Sequence, residues 1–237
     1  MTAATAPHRP TPAPDPDMSR RAVALGGAGG LLFAATIVAA AIVEGAAGVA
    51  TDATADEIAD LVTADRWVTH SSAVLYVLGA IGIFPYLATM WDRYRERDGL
   101  AVRAGVLAFA VLGALFGSQL AVLVALTATA ERLAGSPEIL EGLWALRNAL
   151  FAFNQCFLAV VLAGLTHAAT SDRLVPRWFR TAGLIGAALL LVVPLGAVRS
   201  TDTGDLIAIG GLGFLIWIVF LVTSGAALIR SHNDSAT

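Results

Sequence analysis

Between Arg21 and Asp52 the chain carries a single charged side chain, Glu44, and five more long apolar runs follow. No other feature restricts the fold as strongly. A hydrocarbon core about 30 Å thick is crossed by about 20 apolar residues in helical form. Within it each backbone N–H and C=O must find its partner inside the span, which leaves helices or closed barrels. Segments 22–49, 67–91, 104–130, 144–171, 181–199 and 206–229 meet or nearly meet that length. The expected fold is therefore all-α: a six-transmembrane-helix bundle with both termini cytoplasmic. The fifth segment is the shortest and contains Pro194, expected to kink it or to be absorbed by packing.

Composition agrees. Of the 237 residues, 57% are hydrophobic and 14% charged, with a mean hydropathy of +0.74. Soluble domains carry about 25% charged residues, so part of this chain's solvent must be lipid. Its basic residues are all arginine. That bias, with the abundance of Ala, Gly, Leu and Val, is what a GC-rich genome would produce, and the lack of lysine excludes a Schiff base, hence a retinal protein. The single cysteine, Cys156, has no partner for a disulfide or a C-x-x-C site and is expected to be a small buried hydrophobe.

Charge sets the expected orientation. Arg9, Arg20 and Arg21 precede the first span, and Arg93, Arg95, Arg97 and Arg103 lie between the second and third. Arg173, Arg177 and Arg180 lie between the fourth and fifth, and Arg230 follows the sixth. Only Arg66, Arg132, Arg147 and Arg199 fall in the other half. With the N-terminus inside, this obeys the positive-inside rule in the cell inner (plasma) membrane. Trp67 and Trp144 are then expected at the outer interface, Trp91 and Trp178 at the inner one. SRRAVALGG (19–27) resembles the opening of a twin-arginine export signal, but arginines that hold the N-terminus in the cytoplasm explain it more simply. Residues 1–21, rich in Pro, Ala and Thr, are expected to be a disordered cytoplasmic tail. Residues 22–230 form the membrane domain, and 231–237 a short cytoplasmic tail.

Between the first two spans, Thr54-Ala-Asp-Glu57 fits a capping box ahead of Ile58, Leu61 and Val62, so a short surface helix is expected. Ser136-Pro137 reads as a cap and first helical position, so the fourth span should start outside the membrane and run inward unbroken. Gly26 to Gly30 and Gly113-Ala-Leu-Phe-Gly117 are expected to let helices approach closely. Such surfaces permit a homo-oligomer without requiring one.

Motifs of soluble enzymes are missing: no P-loop, H-E-x-x-H, G-x-S-x-G or paired cysteines. Basic or aromatic nucleic-acid surfaces are missing too, so no nucleic-acid partner is expected. What remains is polarity at membrane depth. RNALFAFNQ (147–155) places Arg147 and Asn154 seven apart, and likewise Asn148 and Gln155, which puts each pair on nearly one helix face. Glu44, His70 and Arg199, from other spans, fall with Arg147 in the outer part of the bilayer, and Gln119 and Asn154 lie somewhat deeper. Ionisable groups in spans usually face the bundle interior or a watery cavity. These seven residues (Glu44, His70, Gln119, Arg147, Asn148, Asn154 and Arg199) are the candidate lining of an outward polar pocket, with Glu44 paired to Arg147 or Arg199. The opposing reading is structural: Arg147 and Arg199 snorkel to headgroups, while His70, Asn154 and Gln155 join helices.

Glu44 and His70 are too few to hold a metal. His70 near the outer face and His167 near the inner cannot clamp one haem. No metal or other cofactor is expected. Membrane lipids are expected partners, with a small or lipid-like ligand in the pocket. Three functions stay open: binding or transport of that ligand, a membrane enzyme using Glu44 and His70 as acid and base on a lipid, or a structural or regulatory protein with no ligand.

LVPRWFRTAGLIG (174–186) and DRWVTHSSAVLYVLG (65–79) resemble patterns in an uncharacterised family of six-helix bacterial integral membrane proteins. There an LPRWLG-like turn leads into the penultimate helix. The resemblance spans about residues 22–199 and implies the six-helix fold; the family has no assigned activity, so no catalytic residue is implied.

Overall fold

The structure is a computed structural model that describes residues 16–47, 53–63, 66–133, 135–197 and 204–234. Its elements are α1 (Pro16–Ala47), α2 (Ala55–Thr63), α3 (Arg66–Tyr94), α4 (Gly99–Leu133), α5 (Pro137–Ser171), α6 (Trp178–Ala197) and α7 (Gly204–Asp234). All but α2 are long and apolar enough to cross a membrane. Large apolar side chains such as Leu25, Ile42, Ile81, Phe84, Leu107 and Leu195 point outward, as lipid-facing residues do. The protein is thus an all-α, six-helix bundle of the multi-pass membrane class. Among the described residues there is no strand.

Two boundaries and one cap differ from expectation. α7 runs on to Asp234, into the stretch expected as the C-terminal tail. α1 already starts at Pro16, inside the stretch expected as a tail. Proline suits a first helical position, where its missing N–H costs nothing. α5 does start at Pro137 and runs unbroken to Ser171, but Ser136 makes no side-chain capping bond there; its backbone carbonyl accepts from Ile139 instead. Helices α3 and α6 continue through Pro85 and Pro194.

The six long helices form a ring. α1 packs between α3 and α7, α7 on α6, α6 on α5, and α5 on α4; α3 and α4 close it along a looser seam. Glycine makes the tightest crossing possible. A Cβ on Gly82 would lie 2.7 Å from the Gly29 carbonyl oxygen, and one on Gly27 would lie 2.6 Å from that of Gly225. The glycine run of α1 therefore presses against α3 on one side and α7 on the other. Gly113 and Gly117 do not behave as expected: nothing lies near either one. Their face of α4 points away from the chain's own helices.

At the arginine-rich end the ring is solid. Tyr86, Met90, Tyr94, Leu162, Leu165, Phe179 and Phe220 are fully or almost fully buried there, and the Tyr86 and Ser224 hydroxyls hydrogen-bond at 2.8 Å. Asp172 ties the turns together, accepting from Arg93 Nε at 2.8 Å and from the Tyr94 hydroxyl at 2.7 Å. These bonds hold the α5–α6 turn, in which Arg173 is left-handed with φ 63°.

The other end is closed by α2. The Thr54 backbone N–H donates to Glu57 Oε2 at 2.8 Å, and the Glu57 N–H donates to Thr54 Oγ1 at 3.4 Å. This is the reciprocal capping box expected from the sequence. It starts a helix whose Ile58, Leu61 and Val62 pack on Leu123, Leu126, Leu140 and Trp144. Between this apolar lid and the solid half lies a cavity.

Candidate functional site

The cavity has a volume of about 440 Å³. Phe33, Phe109, Leu158 and Trp217 make its floor and belong to the main core; Leu61, Leu123 and Trp144 make its roof and belong to the lid cluster. Polar side chains enter the wall from α1, α3 and α5, and the remainder is aliphatic and aromatic.

Helix α5 supplies four of these polar side chains, Arg147, Asn148, Asn154 and Gln155. Trp144, Arg147, Asn148, Phe151, Asn154, Gln155 and Leu158 all line the cavity, which is the three-and-four spacing of one helix face. RNALFAFNQ is thus an inward face, with Phe153 pointing out to lipid. Arg147 does not snorkel. Its side chain is only 16% exposed, its guanidinium stacks 4.7 Å from the Trp144 ring centroid, and Nη1 donates to Asn148 Oδ1 at 3.1 Å. The Trp144 ring is buried in this contact, so Trp144 is a wall residue and not the interfacial belt residue expected; Trp67 and Trp178 do lie exposed.

Glu44 faces Arg147 across the cavity from α1. The closest approach, Nη2 to Oε2, is 3.9 Å, long for a direct hydrogen bond, and the Glu44 side chain is 29% exposed. The Ser72 and Tyr76 hydroxyls of α3 stand beside the same carboxylate. Thr69, Ser72 and Tyr76 form a polar stripe on α3 that the sequence reading passed over. Its signal was the spacing of three hydroxyls at i, i+3 and i+7. His70 follows Thr69 by one residue and so lies about 100° around the helix from it. His70 is exposed and lines no part of the cavity, so it is removed from the candidate site and shares no site with Glu44.

Deeper, Asn154 Nδ2 donates to Gln119 Oε1 at 3.4 Å, joining α5 to α4. Gln119 is buried and meets the cavity only through this bond. Arg199 lies outside the described residues. Two polar atoms of the wall have no protein partner: Arg147 Nε and Asn154 Oδ1. Asn154 is only 4% exposed, so its free carbonyl oxygen cannot be satisfied by bulk solvent.

Along the loose seam, Tyr76 of α3 meets Phe116 of α4 edge to face, with centroids 4.6 Å apart. Near the lid, the exposed pair Arg66 to Glu131 bridges the same two helices at 2.9 Å. Among the described residues no three His, Cys, Asp or Glu side chains gather where they could hold a metal ion.

Fold and site together define a multi-pass membrane protein with an amphiphilic chamber in one half of its bundle. No family model, curated protein or solved structure matches the chain.

Proposed function

We propose that this protein binds, and hands across or along the membrane, a small or lipid-like amphiphile held in the chamber between α2 and the core. The observation that carries this reading is Arg147: a guanidinium turned into an apolar chamber, with Nε unbonded and its one carboxylate 3.9 Å away. A buried cation and a buried unpaired amide oxygen are expensive to keep. A ligand head group bearing oxygen acceptors satisfies Arg147, for which carboxylate and phosphate are the best geometric matches. An ammonium on the same head group would meet Glu44, and a donor farther along the ligand, about 10 Å deeper, would meet Asn154 Oδ1. The aromatic floor then takes the apolar remainder of the ligand.

The arginine distribution supports placing the lid end outside the cytoplasm. The ligand then comes from the outer side or the outer leaflet. A lipid-modifying enzyme built on Glu44 and His70 has less support, since His70 points away from the chamber. A scaffold with no ligand has less support as well, because a bundle packed only for structure has no reason to keep Arg147 inside.

Access to the chamber tests the reading. Glu44 and Arg147 are replaced singly by Cys in a Cys156→Ala background and labelled from outside with a membrane-impermeant thiol reagent. Labelling at both positions, blocked by a long-chain carboxylate or a lysophospholipid at position 44 where Arg147 is intact, is the expected result. Folded variants that resist labelling at both positions sink the idea of a chamber open to the outer side.

A further inference from the structure

A second recess lies on the outside of the bundle, at the opposite, arginine-rich end, where α4, α5 and α6 meet. It encloses about 780 Å³. Small residues create it. At the α4–α5 crossing a Cβ on Gly164 would lie 2.5 Å from the Ala101 carbonyl oxygen, so the two backbones nearly touch. Ala104, Ala159, Ala163 and Ala187 then leave a trench that no side chain of the protein fills. Leu100 and Leu184, both exposed, form its lips.

The mouth of the trench is cationic. Arg97 comes from the α3–α4 turn, Arg180 from the first turn of α6, and His167 from the last two turns of α5. Among the described residues Arg97 and Arg180 form no ion pair. The one anion at the mouth, Asp98, faces His167 at 4.0 Å. From the mouth the trench runs about 12 Å along α5 from His167 to Ala159, and about 16 Å along α6 from Arg180 to Leu191, at 1.5 Å per residue.

We infer that this trench is a binding site for one anionic phospholipid, whose phosphate sits between Arg97 and Arg180 and whose acyl chain lies on the alanine floor. Two arginines that form no ion pair among the described residues, above an apolar channel, match the charge and shape of that molecule. A zwitterionic lipid fits the floor equally well but gains less at the mouth. Basic recesses between spans recognise anionic head groups on these terms. The inference is independent of the central chamber, which lies in the other half of the bundle.

Native mass spectrometry of the delipidated full-length protein, re-supplied with phosphatidylglycerol or phosphatidylcholine of matched chains, reads the preference directly. The wild type is expected to retain phosphatidylglycerol at least roughly fivefold better, the order expected for one interfacial arginine. Arg97→Gln with Arg180→Gln should bring the ratio toward one. Arg95→Gln with Arg177→Gln removes the same formal charge at that end, away from the trench, and should leave the ratio unchanged. Ala163→Phe, which fills the floor, should lower retention of both lipids; Ala163→Leu replaces it if the larger side chain prevents folding. Equal retention of the two lipids by the wild type overturns the proposal. So does an equal loss of preference in the Arg95/Arg177 variant, which would mean a diffuse field and no site. Undiminished retention in a folded Ala163 variant overturns it too.

Discussion

At the scale of single residues, the chamber turns on how Arg147 is held. A guanidinium in an apolar wall is tolerated only where several partners share its desolvation. Here Trp144 supplies a π face, Asn148 an acceptor and Glu44 a counter-charge at 3.9 Å. Replacing Arg147 with Gln should therefore cost about 1–3 kcal/mol of stability, because Glu44 is left without its counter-charge. The double variant Arg147→Gln, Glu44→Gln should recover part of that loss. Thermal unfolding of the four proteins in micelles should give a coupling of about 0.5–3 kcal/mol. Zero coupling would mean that the pair does not act as a unit, and that each group is held by its other neighbours.

The helices as elements are set by glycine and by capping, and both can be tested. Gly82 meets the Gly29 carbonyl with no room for a side chain, whereas Gly113 and Gly117 face open space. Gly82→Val should destabilise by at least about 1–3 kcal/mol through overpacking. Gly113→Ala should be neutral or stabilising by up to about 1 kcal/mol, since alanine is the better helix former. Unfolding of the two variants side by side distinguishes glycine used for packing from glycine that merely occurs. The lid helix α2 has a pH dependence of known sign. Its capping bonds with Thr54 hold Glu57 below the ordinary carboxylate value of 4.5. A depressed acid stabilises the folded form fully above its unfolded pKa and loses that contribution as pH falls through the lower folded value. Amide exchange in residues 55–63, corrected for intrinsic rates, should thus show protection that is flat near neutrality and weakens below about pH 4.5. Protection that rises on acidification would contradict the capping role.

For the whole molecule, the ring has one weak side. α3 and α4 touch along a looser seam than any other adjacent pair of long helices, bridged by the Tyr76–Phe116 contact and the exposed Arg66–Glu131 pair. Sidedness is the global property most open to direct test. With the arginine-rich end in the cytoplasm, Asp56→Cys on α2 should react with an impermeant thiol reagent in intact cells. Glu96→Cys, in the α3–α4 turn, should react only after permeabilisation. The reverse pattern would invert the bundle and place the chamber on the cytoplasmic side.

How much of this was legible beforehand depends on whether local chemistry or neighbouring helices decide a feature. Six spans, the short helix after the first of them and its Thr54–Glu57 cap all follow from the sequence, because apolar length and capping act within one stretch of chain. The inward face of α5 was legible for the same reason: Arg147 and Asn154 recur with the helical period. What the tertiary structure alone decided is which face of each helix meets which neighbour. It turned Ser72 and Tyr76 toward Glu44 and left His70 outside, although all three lie within two turns of one helix. It buried Trp144 under a guanidinium where an interfacial ring was expected, and pressed Gly29 onto Gly82 while leaving Gly113 and Gly117 unused. In a lipid-soluble helix nearly every face is apolar, so hydrophobic periodicity hardly marks the inside, and only packing against the other five helices can choose it.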